Sequence, residues 1–177
     1  MDFVKNVKIS VIFASDVPVN HFFDIASTRN VFCAKKRNIL IIKDIYSITI
    51  FQKPQNKYHF NVTRIKTITV IGDVIKWLVE TYCDKNKFQL ISYHIDNITS
   101  TFDIKQEISL NNLANKIKNA SYNPERFHAL YLKNIIGTIV VFQTGKINII
   151  GAKSVESITS LWAFIQKEIN VALKNVI

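Results

Sequence analysis

The side chains that most often do covalent or metal chemistry are sparse here, and their spacing supports neither. His21, His59, His94 and His128 are scattered, with no pair at helical or zinc-type spacing. Cys33 and Cys83 stand alone, as reduced thiols of an intracellular protein do. The sequence has no phosphate-cradling glycine loop, no nucleophile elbow and no paired carboxylates. An enzyme is therefore not expected, and neither is a metal or a cofactor. What the chain offers is charge: 23 Lys and Arg against 13 Asp and Glu, a formal net charge of +10. Such a surplus calls for an anionic partner, nucleic acid or an acidic membrane surface. It is uneven, with 14 basic and 7 acidic residues in 1–88 and 9 and 6 in 89–177.

The elements that must carry this charge follow from pattern. At 177 residues and 48% hydrophobic, the chain is globular and suits one well-buried domain. The start, MDFVKNVKIS, has no apolar signal region, and no apolar run reaches the length of a membrane span. Self-similarity organises the rest. NVKISVI (6–12) and NITSTFD (97–103) each pair an Asn with the period-2 alternation of a strand. A helix signal follows each. Asp16 is the expected cap of the first, with Pro18 in its first turn and Val19, Phe22, Phe23 and Ala26 on one face. Ser109 caps the second, with Leu110, Leu113, Ala114 and Ile117 inward. Short strands are predicted at 38–44, 46–53, 57–63 and 66–72, then at 128–133, 138–143 and 146–151, with turns at Pro54-Gln55-Asn56 and Thr144-Gly145.

Each half then closes with a helix. Val74, Trp77, Leu78 and Tyr82 mark the first, over 73–83. Val155, Ile158, Leu161, Trp162, Ile165, Ile169, Leu173 and Val176 mark the second. Both tryptophans are expected in the core, and the basic run Cys33–Arg37 reads as a solvated turn. The order strand, helix, strands, helix, written twice, predicts an α+β fold of about ten antiparallel strands with four helices on one face. The repeats are set at 1–88 and 89–177. Thr138–Phe142 is apolar on both faces, so the uncovered face should be apolar: a binding surface, unless a loop or second subunit covers it.

Three segments carry a family resemblance: NITSTFDI (97–104), NASYNPERFHALYLK (119–133) and TIVVFQTGKINIIGAKS (138–154). YNPERF followed by FxxGKxxxxGAKS resembles one repeat of the TATA-binding protein family. Residues 1–88 match weakly, through Asn6, Lys53-Pro54 and Ile71-Gly72. The resemblance implies a saddle-shaped sheet with its helices on the convex side. Its underside lies on the DNA minor groove, where a pair of Phe side chains per repeat wedges between base pairs and kinks the duplex. Phe127 and Phe142 match one such pair, although each by itself would be read as core. Asn97, and Asn6 in the first repeat, match the amide that bonds the acceptors of A·T pairs, although Asn is also a common turn residue. Thr99, Val140, Asn148 and Ile150 match flanking groove positions. Arg126, Lys133 and Lys146 match positions that reach phosphates.

The departures are as definite. Asn148 and Ile150 replace the family's usual Val and Thr, and Lys8 stands where a small apolar groove contact belongs. The first repeat has no YNPxRF; an ungapped count puts Asp44 or Ile45 at its missing wedge, and Phe60 is the candidate for the other. The expected function is a transcription initiation factor that binds and bends AT-rich double-stranded DNA as a monomer. Its implied partners are transcription factor IIA-like and IIB-like proteins and RNA polymerase machinery, at the end loop near Ser121–Glu125 and at the convex helices. Two alternatives stand beside it: a protein-interaction module with DNA binding lost, and an accessory domain of DNA repair. The Ile-, Asn- and Lys-rich composition and diverged first repeat suggest a large DNA virus, acting in a cytoplasmic factory, or an AT-rich protist, acting in the nucleus.

Overall fold

The computed structural model describes residues 3–37 and 39–174. Asn38, Val176 and the side chain of Leu173, all drawn into the predicted elements, lie outside what it describes. The element order is β1 (Val4–Ala14), α1 (Asn20–Thr28), β2 (Phe32–Lys36), β3 (Ile39–Lys43), β4 (Ser47–Lys53), β5 (Lys57–Ile65), a 3-10 turn (Ile68–Val70) and α2 (Ile71–Tyr82). Then follow β6 (Gln89–Asp103), α3 (Leu110–Lys116), β7 (Ala120–Asn123), β8 (Phe127–Asn134), β9 (Gly137–Phe142), β10 (Lys146–Ala152) and α4 (Val155–Lys174). The expected ten strands and four helices are present, with each half written strand, helix, strands, helix.

The chain divides into two compact units, residues 6–96 and residues 1–5 with 97–177. Residues 89–96, which open the second repeat in the sequence, belong to the first unit. In the first unit the strands run β2-β3-β4-β5-β1, and in the second β6-β10-β9-β8-β7. Alternation decides which face is covered. Val7, Ile9, Val11, Phe13, Leu40, Ile42, Ile48, Ile50, Phe60 and Val62 are fully buried in the first unit. Phe22 of α1 packs edge-on against Phe60 at 5.4 Å, closing that core. In the second unit Leu130, Ile139, Val141, Ile147 and Ile149 lie in the core with Ile158, Leu161 and Ile165 of α4. Trp162 is half-buried and stacks on Phe102 at 4.2 Å; Trp77 is half-buried against Tyr46 and Tyr82.

Several sequence expectations change. Residues 66–72 form no strand: Thr67 accepts from the Thr69 N–H to start the 3-10 turn, and Ile71 already opens α2, placing Gly72 inside the helix. Asp16 does not cap α1, which begins at Asn20 with no side-chain cap; its carboxylate bonds Asn56 instead. Cys33–Lys36 is part of an edge strand, and the predicted turn begins only at Arg37. Ser109 does cap α3, accepting from Asn112 N at 3.4 Å. Cys33 and Cys83 are both free thiols, and burial pushes Cys83 up to about 12.

A three-way contact ties the first unit's helices to its β3–β4 turn. Asp44, 7% exposed, pairs with Arg29 at 3.0 Å and accepts from Tyr82 Oη at 2.7 Å. Burial raises the carboxyl, but hydrogen bonds from Tyr82, the Ile45 N–H and Arg29 outweigh it and hold Asp44 below its ordinary value.

Candidate nucleic-acid interface

Each unit leaves one sheet face without helices, and the ladders make the two faces comparable residue by residue. In the first unit Ser10 faces Asn61, Asn61 faces Thr49 and Thr49 faces Ile41. In the second, Thr101 faces Asn148, Asn148 faces Val140 and Val140 faces Tyr131. These are matching rows, because each starts four residues after the Asn that leads its repeat, Asn6 or Asn97. Side chains two apart along a strand share a face. Two residues onward, Phe51 faces Ile39 where Phe142 faces Ala129.

The second unit gathers the expected residues on this open face. Asn97, Thr99, Lys133, Val140, Phe142, Lys146, Asn148 and Ile150 all have the parity of the uncovered side, and Phe127 heads the adjacent strand. Arg126 sits in the turn before it, its N–H bonded to Asn123 O at 3.1 Å. Phe127, 45% exposed, and Phe142 meet edge to face with centroids 6.2 Å apart. Gly145 positions this pair. Its φ of +84 closes the β9–β10 turn, and a Cβ there would lie 2.3 Å from Gln106 O, so no other residue fits. Val140 is only 5% exposed on the sheet floor, while Ile150 is 37% exposed.

Asn6 and Asn97 are held by one device. Each lies beside a β-bulge and accepts the N–H of a bulge residue with positive φ: Arg64 N at 3.0 Å for Asn6, Gly151 N at 2.7 Å for Asn97. Fixing the amide oxygen turns the NH2 group, a hydrogen-bond donor, toward a ligand in both units; in Asn97 one of its two protons goes to Thr99 Oγ1 at 3.4 Å and the other is left.

The first unit differs in its aromatic residues and in the charges on its open face. Phe60 is corrected outright: it is fully buried between Phe13 and Phe22, on the helix side, with no surface to offer a base pair. Parity settles this, since Tyr58, Phe60 and Val62 alternate with the open-face His59, Asn61 and Thr63. Asp44 and Ile45 do not occupy the missing wedge either: both lie in the turn between β3 and β4, where Asp44 is held by Arg29 and Tyr82. The aromatic that sequence reading missed is Phe51. The signal was present in FQKPQNK (51–57) beside FQTGK (142–146), hidden by the two extra turn residues. Lys53 Nζ lies 5.8 Å from the Phe51 ring centroid.

Lys8 does not point a free charge outward. It pairs with Asp96 at 3.0 Å, and Asp96 also takes His94 Nε2 at 2.9 Å and Ser10 Oγ at 2.7 Å. Burial raises the Asp96 carboxyl, but the hydrogen bonds of Ser10 and Lys8 and the charges of Lys8 and His94 outweigh it and hold it ionised below its ordinary value. Opposite Phe51, His59 stands where the second unit has Lys146. Burial, then Lys53, Lys57 and His94, depress its imidazole. Among the described residues no His, Cys, Asp and Glu group could hold a metal ion, and no helix is long and apolar enough to cross a membrane.

The sequence profile described as "Transcription factor TFIID (or TATA-binding protein, TBP)" matches residues 92–171. Curated relatives match over part of the chain. TATA-box-binding protein F of Halobacterium salinarum is 36% identical over 67 residues, 37% of this chain and 36% of its own. TATA-box-binding protein of Pyrobaculum calidifontis is 35% identical over 81 residues, 45% of this chain and 41% of its own. TATA-box-binding protein-like 1 of Entamoeba histolytica is 38% identical over 64 residues, 35% of this chain and 30% of its own. The matches thus span about a third of the length of those relatives. The solved structure of Methanococcus jannaschii TBP has the same fold: TM-score 0.75 at 20% identity, covering 95% of this chain and 97% of that one.

Proposed function

We propose, from the premise that this chain is a divergent member of the TATA-binding protein family, that it is a transcription initiation factor that binds AT-rich DNA in the minor groove and bends it with Phe side chains. The observation that carries the reading is the Phe127–Phe142 pair: two rings, edge to face, on an open sheet face behind a turn that only glycine can close. An exposed apolar pair on an uncovered sheet face marks a binding surface. Phe stacks on an opened base edge and asks for no hydrogen bond. Unstacking a step costs on the order of a few kcal/mol, offset by the added protein surface that bent DNA contacts.

Around the wedge, each open-face residue has a definite role. The Asn97 NH2 group, its oxygen committed to Gly151, donates to adenine N3 or thymine O2. Thr99, Val140, Asn148 and Ile150 line the groove floor, and Lys133, Lys146 and Arg126 neutralise phosphates without reading sequence. In the first unit Asn6 repeats the amide contact, and Phe51, at the ladder position of Phe142, touches a base step. The factor IIA-like and IIB-like proteins and RNA polymerase machinery remain proposed partners, at the helices and the Ser121–Glu125 loop.

The test is a gel shift with end-to-end energy transfer on AT-rich and GC-rich duplexes across a salt series. Wild type should bind and bend the AT-rich duplex at low salt, and Phe127→Ala with Phe142→Ala should abolish the bend. Absence of wild-type binding at low salt would leave the interaction-module reading, which the Asp96 carboxylate on the first unit's open face favours.

A further inference from the structure

Asn61 and Asn148 occupy the same register position, and each has a hydroxyl beside it, Ser10 or Thr101. The hydroxyls are not in the same situation. Thr101 Oγ1 lies 2.9 Å from Asn148 Oδ1, and its single proton can go there. Ser10 Oγ lies 2.9 Å from the Asn61 atom placed as Oδ1, but also 2.7 Å from Asp96 Oδ2. One proton cannot serve two acceptors. The shorter bond, to an ionised carboxylate that Lys8 and His94 also hold, is the stronger by about twofold and takes it. A contact of 2.9 Å between Ser10 Oγ and a second acceptor is then unfavourable. The Asn61 amide, whose two ends have nearly the same shape, must turn over and donate its NH2 to Ser10. Its carbonyl oxygen is left toward the open face.

The minor groove makes this difference readable. Its edges carry acceptors on every base pair, and one donor: the amino group of guanine. An outward NH2 group suits A·T and clashes with that amino group, whereas an outward carbonyl oxygen can accept from it. We propose that Asn61 presents its carbonyl oxygen, and Asn148 its amide nitrogen, to the minor groove, so that the half-site under the first unit tolerates a guanine-type amino group that the half-site under the second unit rejects. Asp96 is the residue that sets this polarity, acting through Ser10 as a positioning residue. The inference rests on the minor-groove reading above.

The probe is 2,6-diaminopurine paired with thymine, which adds only the minor-groove amino group to an A·T pair. It is placed at one position at a time along a duplex that the protein binds, and affinities are compared with the unmodified duplex. In one half the substitution should weaken binding by about tenfold; in the other it should leave binding within about threefold or strengthen it. Asp96→Ala frees the Ser10 proton for Asn61, turns that amide back, and should impose the same roughly tenfold penalty on the tolerant half while leaving the other half as it was. Ser10→Ala, which removes the anchor without touching the ion pairs, should also make the tolerant half sensitive, and serves if Asp96→Ala does not fold. Equal penalties in both halves of the wild-type profile, or a profile that folded variants do not change, overturn the proposal. Failure to bind the unmodified duplex at low salt fails the minor-groove reading instead.

Discussion

The two units share a ladder plan and diverge at its tip and on its floor. The tip of the second unit holds two phenylalanines in contact; that of the first holds Phe51 with an ammonium beside its ring. The floor of the second unit is Thr99, Val140, Asn148 and Ile150. That of the first carries an ion-paired Lys8 and Asp96 and an imidazole depressed in basicity. What survives in both is the Asn held by a bulge N–H, at Asn6 and Asn97. The lesson is that a duplicated scaffold keeps what fixes backbone geometry and lets the ligand-facing chemistry drift separately in each copy.

This asymmetry can be broken from several sides. The largest effect is expected from Phe127→Ala with Phe142→Ala. Losing two base-stacking rings at about 1–3 kcal/mol each should weaken DNA binding at least about thirtyfold in a fluorescence titration. Phe51→Ala, measured the same way, should cost less than either second-unit Phe because no aromatic ring among the described residues packs against it; an equal loss would make the two tips equivalent. Gly145→Ala forces a Cβ onto Gln106 O and should destabilise the second unit by about 1–3 kcal/mol in urea, while displacing Phe142.

Asp44→Asn removes a charge-assisted contact from the first unit alone. The expected loss is about 1–3 kcal/mol, read as a lower urea midpoint. The pH dependence has a definite sign. Because the folded Asp44 carboxyl lies below its ordinary value, its stabilisation is present above the unfolded pKa, near 3.9, and disappears as pH falls through the lower folded value. Acid unfolding of wild type should show this dependence below about pH 4, and Asp44→Asn should flatten it.

Most of the fold was legible because period-2 alternation and a repeated Asn-led strand are local signals. Ten strands and four helices followed, and so did the open face of the second unit, whose motif FxxGK has a turn of family length. The first unit was harder for a physical reason. Phe60 and Phe51 are both strand aromatics in apolar company, and only the ladder register tells which faces the helices. The two extra residues at Pro54-Gln55-Asn56, with Gln55 and Asn56 both at positive φ, broke the alignment that would have matched Phe51 to Phe142. The partnership of Lys8 with Asp96 spans 88 positions in sequence and leaves no local pattern.

The central claim is that the Phe127–Phe142 pair opens a base step in the minor groove. A 2-aminopurine reporter, which brightens when unstacked, can be walked along an AT-rich duplex held at saturating protein. The account predicts a bright position with wild type that disappears with Phe142→Ala at equal saturation. Saturated binding with no brightening at any position would contradict it.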